Sequence, residues 1–248
     1  MKIRYFSDIH LEFIKPHKME RFLRNIKPAQ DHICILAGDI GNPYHANYDQ
    51  FMQHINRSFQ KTFVIPGNHE YYNNKIKYTN QYLTDYFKKW ENISFLNNQY
   101  EIYAGHCFIG TTLWSKITDP SNSINDVYAI KEFDYLQYNR LHMLAVDFLE
   151  DAVEKNENCI VITHHLPSED LIDPKYKTSK MRPYNQWFYA NMDQFIEKNV
   201  HKIKGWFYGH THTPAFTMIR DIPFCCNAIG YPNENPRIDF EKTLVLGE

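Results

Sequence analysis

The chain reads as an α/β protein built on two β-sheets, and three features of its pattern carry that expectation. Short apolar runs ending in turn residues recur along it, stretches of helical periodicity separate the early runs, and beyond residue 93 the pattern changes to short alternating segments. Residues 3–6 form the first run and stop at Ser7-Asp8; helix-like residues 17–26 follow. Residues 33–37 stop at Gly38-Asp39 and lead to a second helix-like stretch, 48–59. Residues 63–65 stop at Pro66-Gly67-Asn68-His69, with helix-like 76–90 beyond. Repeated strand-helix units predict a mostly parallel sheet, in which a site gathers at the carboxyl ends of the strands.

Short alternating strands are then expected at 100–103 and 107–111, and again at 216–219, 223–226 and 243–246, making a second sheet that reads as largely antiparallel. Two further apolar runs, 160–162 and 206–208, stop at Thr163-His164-His165 and Gly209-His210. Residues 141–155 place apolar side chains at 141, 144, 145, 148, 149 and 152, the spacing of an amphipathic helix. Two polar loops, near 115–140 and 166–184, lack periodicity, and loops of that length in a compact protein are expected to be lids or binding elements. With no repeat or linker, residues 1–248 read as a single domain carrying these two insertions.

Composition narrows the function. The 27 Lys and Arg against 29 Asp and Glu give a net charge of −2, which offers a phosphate polymer little counterion-release gain, so nucleic acid is not an expected partner. Five scattered cysteines without a CxxC pair fit a reducing compartment and make no zinc site. MKIRYFSDIH lacks the apolar core of a signal peptide, and no stretch approaches the roughly 20 apolar residues of a membrane span. A cytoplasmic protein with no membrane partner is the expectation. Composition is silent on oligomeric state.

The chemistry lies at the strand ends: Asp8 and His10, Asp39, Asn68 and His69, His164, and His210 and His212. In extended chain, residues two apart point to one face, so Asp8 would sit beside His10 and His210 beside His212. Carboxylate, imidazole and amide donors together suit Mn, Fe, Zn, Co or Ni better than Ca or Mg, which prefer oxygen shells. Without His69 the set suffices for two divalent ions sharing one carboxylate, and His69 is left as a candidate acid. A lone Asp or His at a strand end is commonly a cap or turn former; the argument rests on their recurrence at successive strand ends.

The blocks Asp8-Ile9-His10, Gly38-Asp39, Gly67-Asn68-His69-Glu70, Thr163-His164-His165 and Gly209-His210-Thr211-His212, in this order over residues 3–213, resemble the calcineurin-like metallophosphoesterases. The resemblance is strongest to small bacterial members, mostly of unassigned substrate, in which aromatics (Tyr71, Tyr72) follow the Gly-Asn-His-Glu block. Those members also carry Gly-Thr-Thr-Leu-Trp (residues 110–114) and Asn-x-x-Gly-Tyr-Pro-x-Glu-Asn-Pro-Arg (residues 227–237). It implies a four-layer α/β/β/α sandwich with two mixed β-sheets. It further implies that Asp8, His10, Asp39 and His212 surround one metal and Asp39, Asn68, His164 and His210 the other, with manganese favoured.

On the same resemblance His69 protonates the leaving group or stabilises phosphoryl charge, Glu70 orients His69 or a ligand, and Asn68 and His165 are candidate substrate contacts. His165, next to His164, either meets substrate or packs. The implied activity is hydrolysis of a phosphomonoester or phosphodiester of a small molecule or nucleotide. Two divalent ions would clamp the ester and make water available as hydroxide near neutral pH. Protein phosphatases of this superfamily carry Asp-Arg-Gly soon after the Gly-Asp block; here Ile40-Gly41-Asn42-Pro43 follows, which argues against phosphoprotein substrates. A non-catalytic scaffold retaining the fold is the competing class, and complete filling of the ligand positions separates the two. Tyr71, Tyr72, Trp114 and Tyr231 either line a pocket or pack; Asn125-Asp126 and Arg237 either approach the site or form solvated turns.

Overall fold

The computed structural model describes residues 1–247. The first sheet contains β1 (Lys2–Phe6), β2 (Ala29–Ala37), β3 (Phe59–Ile65) and β4 (Ile93–Phe95), all parallel and neighbours in the order β1-β2-β3-β4. The second contains β5 (Gln99–Tyr103), β6 (His106–Thr111), β7 (Cys159–Thr163), β8 (Ile203–Phe207), β9 (Ala215–Ile219) and β10 (Ile222–Cys226), in the order β5-β6-β7-β8-β10-β9. The last strand, β11 (Thr243–Val245), joins the first sheet. The helices are α1 (Pro16–Leu23), α2 (Ala46–Ser58), α3 (Ile76–Phe87), α4 (Asp126–Ala129), α5 (Tyr135–Lys155), α6 (Arg182–Asn185) and α7 (Asp193–Lys198). Among the described residues, no helix is long and apolar enough to cross a membrane.

Three apolar layers explain why the strand runs are continuous rather than alternating: both faces of both sheets are covered. Between the sheets, Ile3, Tyr5, Ile33, Ile35, Phe63 and Ile65 pack against Phe108, Ile160, Ile162 and Phe207. The Phe63 and Phe108 rings stack with centroids 4.1 Å apart. On the outer face of the first sheet, Phe6, Leu36 and Val64 meet Met19, Phe51, Ile55 and Leu83 of α1, α2 and α3. On the outer face of the second, Ile109, Val161 and Trp206 meet Leu149, Ala152 and Phe195 of α5 and α7. This is the four-layer α/β/β/α sandwich.

Three expectations are corrected. The second sheet is mixed, not largely antiparallel: β6, β7, β8 and β10 run parallel, and only the edges β5 and β9 are antiparallel. The reason is the crossovers, since α5 between β6 and β7, and α7 between β7 and β8, return the chain to the same end of the sheet. Residues 243–245 leave the second sheet for the first, pairing antiparallel with β1 so that Leu244 packs on the inter-sheet core. Helix α5 begins at Tyr135, capped where the Asp134 carboxylate accepts from the Gln137 N–H at 2.9 Å, so the first loop is shorter than its aperiodic sequence suggested.

Parallel strands bring the carboxyl ends of β1, β2, β3, β7 and β8 to one edge of the sandwich. Backbone bonds then lace the loops beyond them together: Asp8 N–H to Gly38 C=O and His10 N–H to Asp39 C=O, both 3.0 Å, and Gly209 N–H to His164 C=O, 3.0 Å.

Candidate metal centre and active site

The Gly-Asp and Gly-Asn-His-Glu blocks are close-packed against each other. Gly38 has φ +81° and a Cβ there would fall 2.5 Å from His164 Nδ1; a Cβ on Gly67 would collide with Asp39 Oδ1. Only glycine allows both approaches. Glu70 secures the same junction: its buried carboxylate accepts backbone N–H groups of Gly67 (2.7 Å), Ile40 (2.7 Å), Asp39 (3.0 Å) and Gly41 (3.3 Å). Burial pushes the Glu70 carboxyl up to about 7, with the Asp39 charge adding to it and the backbone donors opposing.

Asp8, His10, Asp39, His210 and His212 all adopt left-handed backbone, with φ of 51°, 51°, 52°, 66° and 50°. The extended geometry expected for Asp8-x-His10 and His210-x-His212 is therefore replaced by kinked loops. Each such residue costs of order 1–3 kcal/mol, strain that persists only where surrounding contacts enforce it. Asp8 shows one such contact: its carboxylate accepts the His210 N–H at 2.9 Å, linking the two sheets.

The loops bring the candidate ligands into two adjoining groups. Donor atoms of Asp8, His10, Asp39 and His212 lie within 4.8 Å of one another, as do those of Asp39, His164 and His210, so Asp39 belongs to both. Asn68 joins the second group through Oδ1, 2.9 Å from His164 Nε2. His10 and His212 face each other Nε2 to Nε2 at 3.0 Å, a contact in which at most one nitrogen donates. His210 Nε2 is buried with no hydrogen-bond partner among the described residues. A buried unpaired imidazole nitrogen, beside two that face each other and a carboxylate common to both groups, fits a cation, and carboxylate-imidazole-amide donors fit a borderline divalent one.

The charges agree. Burial works to raise the Asp39 carboxyl, yet His164 and His69 hold it well below the usual range. Burial likewise works to lower His164 and His69, but the groups around them together outweigh it: Asp39 and Asp8 lift His164 to about 10, and Asp39, Glu12 and Asp126 lift His69 to about 9. His165 and His210 are pushed well below the ordinary imidazole value, first by burial and then by neighbouring imidazoles.

His69 stands beside the first group with Nδ1 3.0 Å from Glu12 Oε1, an oxygen that also lies 3.4 Å from His10 Nδ1. The Tyr72 ring stacks on His69 at 4.0 Å, and Tyr231 Oη lies 3.4 Å from its Nε2. His165 lies behind this layer: it is fully buried, its Nε2 is 2.7 Å from Tyr138 Oη, and its ring packs 4.1 Å from His210. Tyr71 and Trp114 belong to an apolar cluster with Tyr138 and Trp187. Arg237 lies away from the site, in a separate hollow with Asp239 and Lys242.

Two acidic residues, Glu12 and Glu234, had no role assigned from sequence, and for a third, Asp126, the structure decides between the site and a solvated turn in favour of the site. Glu12 follows His10 by two positions, and that spacing was the available signal. Asp126 accepts the Asn68 Nδ2–H at 2.7 Å and the Tyr72 hydroxyl at 2.6 Å through one oxygen, so it sets which way the Asn68 amide faces. Glu234 Oε2 lies 2.7 Å from His212 Nδ1, and only its place in the 227–237 block hinted at a function. Carboxylates on the far nitrogen or amide of a ligand are the usual means of fixing its orientation.

A two-sheet sandwich whose strand-end loops converge on a cation-binding cluster defines a metal-dependent hydrolase of the phosphoesterase type. A family profile described as calcineurin-like phosphoesterase matches residues 1–214. The chain belongs to that family, and is a metal-dependent phosphoester hydrolase. An uncharacterised protein of Acanthamoeba polyphaga mimivirus is 30% identical to it, with 98% of each chain covered. Phosphopantetheinyl hydrolase from Mycobacterium tuberculosis shares the fold at a TM-score of 0.76 and 15% identity, covering 95% of this chain and 92% of that one. A 5'-nucleotidase from Staphylococcus aureus matches at a TM-score of 0.50 and 14% identity, over 93% of this chain and 49% of that one.

Proposed function

We propose that the chain, acting as one domain, hydrolyses a phosphomonoester or phosphodiester of a small molecule with two divalent cations, manganese favoured. Asp8, His10, Asp39 and His212 would hold one cation and Asp39, Asn68, His164 and His210 the other. The single observation supporting this reading is the presence of Asp39 in both donor groups, beside the partnerless His210 Nε2. Bound in pairs, such cations supply Lewis-acid charge for the phosphoryl oxygens and lower the pKa of water.

The remaining work falls to the chain. Glu70 keeps the Asp39 loop closed through its backbone acceptor bonds, and Asp126 keeps the Asn68 amide oxygen turned toward His164. Glu12 engages His69 Nδ1, which leaves Nε2 as the nitrogen that carries a proton to the departing oxygen. Tyr231 and Tyr72 confine the imidazole in that orientation. Buried His165 acts from behind His210 rather than on substrate.

The test is turnover of p-nitrophenyl phosphate and bis(p-nitrophenyl) phosphate after loading with Mn²⁺, alongside metal analysis. Hydrolysis with about two ions bound per chain is expected. Absence of turnover under Mn, Fe, Zn, Co and Ni, with no metal retained, would support a scaffold instead.

A further inference from the structure

Beside the candidate ligands lies a half-open cavity of about 370 Å³, within the range of small-molecule sites. Asp39, Asn68, His69, His210 and His212 line one side of it. The two aperiodic loops and the residues just beyond the second supply an apolar wall of Ile124, Leu166, Ile172, Met181, Tyr184 and Phe188, interrupted by the uncharged polar side chains of Ser123, Asn125 and Asn185. The wall touches the ligand layer directly, since the Phe188 ring lies 4.7 Å from the His210 ring. Two carboxylates, Asp126 and Glu234, also border the cavity, and among the described residues no lysine or arginine does.

The wall is held in place by bonds between the loops. Gln186 Oε1 accepts the N–H groups of Thr118 (2.9 Å) and Asp119 (3.0 Å), while its Nε2 donates to Asp119 C=O at 2.6 Å. The Trp187 indole N–H donates to Asn122 C=O at 2.7 Å. Leu166 N–H donates to Phe188 C=O, and Ala190 N–H returns to Leu166 C=O, at 3.0 and 2.8 Å. The recess is therefore standing before any substrate arrives.

We propose that this recess is the leaving-group subsite and selects phosphate esters whose alcohol portion is an uncharged, predominantly apolar group of ring size. This rests on the hydrolase reading above. An apolar ring entering the recess sheds water against the six apolar side chains. A second anionic group, such as another phosphate or a carboxylate, would be desolvated near Asp126 and Glu234 with no basic side chain on the wall to pair with it. The exposed lysines of the second loop, Lys175, Lys177 and Lys180, stand outside the lining and supply no such partner.

The experiment uses non-hydrolysable phosphonates, so that leaving-group basicity plays no part. Methyl-, butyl-, phenyl- and 1-naphthylmethylphosphonate, with 2-carboxyethylphosphonate as the charged comparison, are titrated by calorimetry into Mn²⁺-loaded full-length protein and assayed as inhibitors. Affinity should rise at least tenfold from the methyl to the naphthyl compound, and the carboxyethyl compound should bind more weakly than butyl. Tyr184→Ala should flatten this series while leaving methylphosphonate affinity within twofold, and Tyr184→Phe should restore it. A flat series, or tighter binding of the carboxylate, overturns the subsite while turnover of p-nitrophenyl phosphate keeps the hydrolase reading intact. Loss of all turnover with metal bound would overturn the hydrolase reading instead, and the calorimetric series would still decide what the recess accepts.

Discussion

The two sides of the cavity are built by opposite means. The ligand side comes from the ends of parallel strands, where left-handed Asp8, His10, Asp39, His210 and His212 are locked by glycine close-packing, Glu70 and cross-loop backbone bonds. The facing wall comes from two loops with little regular structure, joined to each other through Gln186 and Trp187. The lesson is a division of labour: rigid strand ends can carry a charge-dense centre that tolerates little displacement, while loops can vary the shape presented to substrate.

The largest effects should come from the ligand side. Asp39→Ala removes the carboxylate shared by both groups, so metal analysis should find both ions gone and turnover reduced by about 10³ or more. Retention of two ions would dissolve the contrast, since the centre would then not depend on its shared residue. His69→Ala should leave metal content unchanged and lower kcat by about 10²–10⁴ on alkyl phosphates, with a smaller loss on p-nitrophenyl esters, whose leaving group needs no proton. Equal losses on both ester types would remove His69 from the role of acid.

A middle-sized effect sharpens the boundary between ligands and their supports. Asp126→Ala leaves every proposed ligand in place but frees the Asn68 amide, and the affinity of one of the two ions should fall about 10–100-fold in a competition titration. An unchanged affinity would mean that Asn68 holds its orientation without help.

Metal uptake should also depend on pH. In the metal-free protein the Asp39 carboxylate, against the effect of burial, lifts His164 to about 10, so at neutral pH a cation must displace that proton. The sign follows: apparent affinity rises about tenfold per pH unit for each proton displaced below pH 10. Calorimetry in buffers of different ionisation enthalpy should register at least one proton released per chain at pH 7.5, and none released would refute it.

The smallest effect belongs to the loop wall. Gln186→Ala severs the bonds between the loops and should weaken binding of bulky apolar phosphonates about fivefold, near the net worth of one or two hydrogen bonds, with metal content intact. A simultaneous loss of metal would show that the wall and the ligand layer are one mechanical unit.

The legibility of the molecule follows the same line. Buried strands announce themselves because both faces must be apolar, so residues 33–37, 63–65 and 160–162 were readable, and so were the polar residues at which each stops. The direction of the second sheet was not, because edge strands β5 and β9 alternate as antiparallel strands do while the central strands owe their parallel course to the helical crossovers. Glu12 and Glu234 escaped notice, and Asp126 stayed open between the site and a solvated turn, because a carboxylate on a loop has the same sequence signature whether it meets water or a buried polar group.

What the sequence determined by itself is the inventory: the donor types, their order, their positions at strand ends and the family to which they belong. Side-chain chemistry and short-range apolar pattern are local properties, and they survive translation into one dimension. Tertiary structure alone decided that these donors face one another through left-handed turns, that Asp39 is common to both groups, and that two distant loops close an apolar recess over them. Those outcomes depend on contacts between residues up to 202 positions apart, such as Asp8 with His210. No local pattern encodes such contacts, because they exist only once both sheets have packed.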